Sequence, residues 1–158
     1  MAQRKKSNVE LKAKFRATAE AKCAELGERL TPARLAAYLE MVDSDRPVSA
    51  YELIARLERK EKRKIAPLTV YRHLDFLMRV GLVHKLESKQ TYLVCDHPGH
   101  EHESQYLVCS QCGRAEELES RQLSRLLDKL TNQQGFVAVT SVVEVSGFCQ
   151  DCKPPSDR

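Results

Sequence analysis

Four of the six cysteines in this 158-residue chain form two CxxC pairs, Cys109-Ser-Gln-Cys112 and Cys149-Gln-Asp-Cys152. Each pair puts two thiolates on one tight turn, and two such turns complete a tetrahedral set that suits Zn2+. The 36 residues between the pairs exceed the usual zinc-ribbon gap, which leaves room for a helix and a strand. Disulfides are the other use of four cysteines, and the cytoplasmic setting expected below argues against them. Neither pair follows a strand and opens a helix, which argues against a thioredoxin-like redox role. With four thiolates and no open position, the spacing predicts a structural zinc site rather than a catalytic one.

A second group of ligand-type residues lies upstream. All five histidines fall between His73 and His102. Within a predicted hairpin, pairing about the Lys89-Gln90 midpoint puts His84 directly opposite Cys95, with Cβ atoms about 4.5–5.5 Å apart. Such a pair is either two core residues of the hairpin or two ligands of one ion. His97, His100, His102, Glu116 and Glu117 supply further ligand candidates close by. An ion bound at this join would lock the parts of the chain on either side of it.

The elements that must position these residues fall into two parts of opposite charge. Residues 1–97 carry 20 Lys/Arg against 13 Asp/Glu, a net of +7, and residues 98–158 carry 6 against 9, a net of −3. Apolar residues at helical spacing run from Val9 to Leu26 and end at Gly27. Leu30-Thr31-Pro32 opens a second helix through Leu35, Leu39 and Val42. Ser49 and Glu52 form a capping box at the start of a third, which buries Leu53, Ile54 and Leu57. Pro67 starts a fourth with the stripe Val70, Leu74, Leu77 and Met78, and Gly81 stops it. Two short strands, Leu82–Leu86 and Thr91–Cys95, then flank the polar turn Glu87-Ser88-Lys89-Gln90.

The last three of these helices followed by a two-stranded ribbon give the order of a winged-helix DNA-binding domain; a small helical domain with a stabilising hairpin is the alternative. Beyond a His-rich hinge, strands at Gln105–Cys109 and Arg114–Leu118 precede a helix with the stripe Leu123, Leu126, Leu127 and Leu130. An alternating stretch, Phe136–Ser146, follows. The expected class is α+β, with a winged-helix domain over 1–95, the hinge over 96–104 and a small α/β domain over 105–158. A unit of about 50 residues is marginal alone and needs a metal, a partner subunit, or both. The longest apolar run, Leu35 to Leu39, is too short for a transmembrane helix, and Arg4-Lys5-Lys6 does not lead into an apolar signal core. A cytoplasmic protein is expected.

On the fourth helix Thr69, Arg72, Asp75 and Arg79 lie away from the apolar stripe. Arg72 is the candidate for a base edge, since its planar fork can bond guanine O6 and N7 together. Lys62, Arg63 and Lys64 are candidate phosphate contacts.

Thr69-Val70-Tyr71-Arg72, the Leu30-Thr31-Pro32-x-Arg34 helix start and the paired CxxC motifs resemble the ferric uptake regulator superfamily. Leu74-Asp75-Phe76-Leu77, and Gly81-Leu82-Val83-His84-Lys85 with Cys95 beyond, are most similar to its zinc-responsive branch. The resemblance covers about residues 8–152. It implies a homodimeric, zinc-dependent transcriptional repressor that binds double-stranded operator DNA, with a C-terminal dimerisation domain, no membrane association and no small-molecule substrate. It implies at least two zinc ions per chain. The structural ion falls on Cys109, Cys112, Cys149 and Cys152, and a regulatory ion on His84, Cys95, His102 and Glu117, with His97 and His100 as additional or alternative ligands. It also adds Tyr51 and Tyr71 as base or phosphate contacts.

One thiolate, two imidazoles and one carboxylate make a mixed set that suits Zn2+, whereas an iron or manganese sensor favours nitrogen and oxygen alone. The alternative within the family is an iron- or peroxide-responsive regulator. A zinc hydrolase using Glu116 or Glu117 needs an open coordination position that four committed ligands do not leave. A zinc carrier leaves the Arg-bearing helix unexplained.

Overall fold

The computed structural model describes residues 2–95, 98, 104–118, 120–139 and 141–152. The protein is α+β and divides into two compact units, Met1–Gly99 and His100–Arg158. No helix among the described residues is long and apolar enough to cross a membrane.

The first unit runs α1 (Ala2–Glu25), α2 (Pro32–Val42), β1 (Val48–Ser49), α3 (Ala50–Glu61), α4 (Pro67–Arg79), β2 (Val83–Leu86) and β3 (Thr91–Val94). Helix α1 begins earlier than its apolar stripe does, because Ala, Gln, Arg and Lys are strong helix formers. Thr31 caps α2 by accepting the Arg34 N–H at 3.3 Å, with Pro32 in the first turn. Ser49 and Glu52 form the expected capping box, the Ser49 hydroxyl accepting from Glu52 N at 3.2 Å and Glu52 Oε2 from Ser49 N at 3.0 Å. The Ser49 backbone N–H holds the Glu52 carboxyl below the usual glutamate range, helped by the Ser49 hydroxyl, Arg46 and Arg56.

Tyr38, Leu53, Val70, Leu74, Leu77 and Leu82 form the centre of the core, all essentially inaccessible. Each contributes on the order of 1.5–3 kcal/mol through burial. Cys23 belongs to this core. Phe76 was no part of the expected stripe, yet it is buried. The Arg34 guanidinium covers its ring at 3.7 Å, and that of Arg79 lies 5.6 Å from it.

The ribbon is a three-stranded antiparallel sheet in the order β1-β3-β2, because Val48 and Ser49 pair with Tyr92 and Thr91. Two residues of β1 are too short a run for alternation to reveal. The hairpin register corrects an expectation. His84 pairs with Leu93, not with Cys95, and the Cys95 N–H bonds to the Leu82 carbonyl at 3.0 Å. Leu86 pairs with Thr91, so the four-residue turn Glu87–Gln90 is centred one residue earlier than Lys89-Gln90, with Gln90 at φ 51°.

The second unit runs β4 (Ser104–Cys109), β5 (Ala115–Glu117), α5 (Arg121–Gln133) and β6 (Val142–Gly147). Strand β4 is central, antiparallel to β5 and parallel to β6, with Cys109 beside Gly147. Ser120 caps α5 by accepting the Leu123 N–H at 3.2 Å. No residue of α5 is fully buried. The alternating stretch does not all form strand. Phe136, Val137 and Val139 stay outside β6 and exposed.

Candidate metal centre and nucleic-acid interface

The parallel pairing of β4 and β6 is what unites the two cysteine pairs. Cys109 ends β4 and Gly147 ends β6 beside it, so both CxxC turns leave the sheet at the same end. The Ser110 N–H bonds to the Gly147 carbonyl at 2.8 Å, and the Cys109 N–H to the Arg114 carbonyl at 2.8 Å. Gly113 closes the first turn at φ +73°, a conformation a side chain would strain. Arg114, just past the first pair, bonds Asp151 within the second at 2.8 Å and ties the two turns together.

The four sulfurs of Cys109, Cys112, Cys149 and Cys152 lie within 4.8 Å of one another. Among the described residues they are the one group of three or more ligand-type side chains in such proximity. Cys112 and Cys149 are 3.8 Å apart. Zinc–sulfur bonds of about 2.3 Å in a tetrahedron separate the sulfurs by about 3.8 Å, so the cage fits that ion.

The electrostatics point the same way. Backbone N–H groups of Cys112 and Cys149, and then Gln111, bring the Cys109 thiol down to about 6. Hydrogen bonding to the Cys149 sulfur, then burial and the Cys112 and Cys109 sulfurs, push Cys152 up to about 12. Four sulfurs this close cannot all carry charge unless a cation sits among them. None of the six cysteines forms a disulfide.

The other expected ligands are distributed over both units. His84 lies half-buried in β2 with its Nε2 shielded from solvent, and Cys95 is buried just beyond β3. Because Leu93 is opposite His84, Cys95 shares a face with it as a diagonal neighbour, a geometry that spans about 7–8 Å. Glu117 ends β5 in the second unit, half-buried with Oε1 shielded, whereas Glu116 is exposed. His97, His100 and His102 lie outside the described residues.

On the first unit, α4 presents a face opposite to its core stripe. Thr69, Arg72 and Asp75 are exposed on it, as is Tyr71 at 37%. Tyr51, the second residue of α3, is 74% exposed. A buried structural role for Tyr51 is thereby excluded. Lys62 terminates α3 in the left-handed region at φ 54°, while Arg63 pairs with Glu61 and Lys64 with Glu58 at 3.2 Å. Arg79 pairs with Glu28 at 3.2 Å and so faces α1's end as much as solvent.

Sequence reasoning missed two features here. The Leu30-Thr31-Pro32-x-Arg34 motif ends in the guanidinium that covers Phe76, which ties the start of α2 to α4. Leu68, on the first turn of α4, is 61% exposed.

The ferric uptake regulator family model matches residues 25–146, well over half of the chain. The chain belongs to the ferric uptake regulator family. The match ends before the second cysteine pair. The chain is 37% identical over 139 residues to the zinc uptake regulation protein of Escherichia coli, covering 86% of this chain and 80% of that protein. Its fold is similar to that of a zinc uptake regulator solved with zinc and DNA, with TM-score 0.85 and 35% identity over 89% of this chain and 93% of the other. The holo form of XcZur gives TM-score 0.80 and 40% identity, over 89% and 96%. Within the family this chain is a transcriptional regulator related to the zinc uptake regulation proteins.

Proposed function

We propose that this chain is a zinc-responsive repressor of zinc-uptake genes, acting in the cytoplasm as a homodimer on palindromic operator DNA, with no catalytic activity. Cys109, Cys112, Cys149 and Cys152 hold a structural zinc ion, and His84, Cys95, His102 and Glu117 hold a regulatory one, giving at least two per chain. His97 and His100 serve as additional or alternative ligands. The metal, when bound, supplies a cross-link among thiolate, imidazole and carboxylate.

The observation that carries the sensor assignment is Cys95, a buried thiol on the His84 face of the hairpin. A thiolate in the set selects zinc over iron and manganese. Because the ligands come from the wing, the 96–104 segment and β5, their engagement fixes the orientation of the DNA-binding unit. In a dimer that sets the spacing of the two recognition helices against a two-fold symmetric site. Arg72 addresses a guanine edge, and Tyr51, Thr69 and Tyr71 complete the base and phosphate contacts. Lys62, Arg63 and Lys64 face the backbone phosphates. The exposure of all seven side chains supports that reading.

A zinc-buffered gel-shift titration against promoters of zinc-importer genes, with iron and manganese as controls, tests this. Zinc alone is expected to restore binding to metal-stripped dimer. Cys95→Ser is expected to need far more zinc while keeping its structural ion. Equal restoration by iron, or a Cys95→Ser protein that responds at the wild-type zinc concentration, would overturn the assignment.

A further inference from the structure

Among the described residues of α4, Leu68 is the one exposed aliphatic side chain. Val70, Leu74 and Leu77 are buried, Met78 is half-buried, and Leu68 is 61% accessible. It is the second residue of the helix, directly after Pro67. At helical spacing it stands one turn before Arg72 and shares its face with Tyr71, Arg72 and Asp75, all of them exposed. No repacking of the helix against its own unit buries Leu68, since the core stripe occupies the opposite side.

The surroundings narrow what covers it. The chain around this helix carries Lys62, Arg63, Lys64 and Arg72, in a region of net charge +7. That charge complements a polyanion. The first turn of a recognition helix is also the part that reaches base edges in a major groove. Base edges there present hydrogen-bonding groups and a single apolar feature, the 5-methyl group of thymine.

We propose that Leu68 is a specificity-determining residue that packs on the 5-methyl group of a thymine, one turn from the guanine edge addressed by Arg72. The proposal rests on the DNA-binding reading above and adds a readout that Arg72 does not supply. A hydrogen-bonding fork recognises guanine, while an apolar tip favours thymine over cytosine, whose 5-position bears no methyl.

The test uses the full-length, zinc-loaded protein and a duplex enriched by it from a random pool. Each thymine of that duplex is replaced in turn by deoxyuridine, which removes one methyl and leaves the hydrogen-bonding groups unchanged. Affinity is read by fluorescence anisotropy at fixed salt. For the wild type, one position per half-site is expected to weaken binding about fourfold, the effect of one buried methyl, when replaced. Leu68→Ala is expected to bind the thymine and uracil duplexes equally, and Leu68→Met to keep the discrimination.

The proposal is overturned if the wild type is indifferent to every thymine-to-uracil replacement. It is equally overturned if Leu68→Ala retains the wild-type ratio. Sequence-selective binding without methyl dependence removes only the Leu68 assignment. Failure of the zinc-loaded protein to enrich any duplex removes the DNA-binding reading as well.

Discussion

Cys112 is the most exposed of the four clustered thiols, yet its sulfur is 3.8 Å from that of Cys149 across 37 residues of sequence. That separation suits one ion bonded to both sulfurs. Cys112→Ser is expected to lower zinc content by one ion per chain, read by elemental analysis. It should also abolish the cooperative melting of the second unit, because structural zinc supplies folding free energy directly. At Arg72 the expected loss concerns sequence rather than charge. Arg72→Ala should cost about 1–3 kcal/mol on the operator and far less on random DNA, measured side by side at one salt concentration. Equal losses on both would make Arg72 a phosphate contact. The grouping of the cysteine pairs and the exposure of Arg72 were legible because local spacing decides them. The pairing of His84 was not, since a hairpin register depends on where its turn is centred, and a one-residue difference there moves the partner by two.

Helix α3 shows how an element's boundary carries energy that its interior does not. Ser49→Ala removes the acceptor for the Glu52 N–H and is expected to cost about 1 kcal/mol in thermal or urea unfolding. The other half of the box makes the cost pH-dependent. The Glu52 carboxyl is held low chiefly by the Ser49 backbone N–H, so its stabilisation is present above the ordinary glutamate range. It is lost as pH falls through the depressed value. Melts over about pH 3 to about pH 7 should therefore show a shallower acid slope in Glu52→Gln than in the wild type, and an unchanged slope would remove the box from the account. This cap was readable as Ser-x-x-Glu, and so were the starts of α2 and α4 at their prolines. The burial of Phe76 was not readable, because its cover is a guanidinium contributed by α2, some forty residues earlier in the chain.

At the scale of the whole molecule, the two units differ in self-sufficiency. The first buries a continuous core, whereas α5 has no buried residue, and Leu126 and Leu130 are 50% and 48% exposed on one stripe. Phe136, Val137, Val145 and Phe148 add to the apolar surface of the second unit. A second copy of this chain, as proposed, covers that surface. Leu126→Glu is accordingly expected to yield monomers in sedimentation velocity and to lose operator binding, while the four-cysteine site keeps its zinc. A dimeric Leu126→Glu protein would place the interface elsewhere. Two units were legible from the charge asymmetry, but not the parallel partnership of β4 and β6, which joins segments more than thirty residues apart. Among the described residues that partnership leaves β6 at one margin of its sheet, with Val142 and Val145 half-exposed. A strand margin of this composition can recruit other strands, so a chain without the proposed second copy is a seed for aggregation. The proposed assembly is thus also a form of protection against this chain's own sheet.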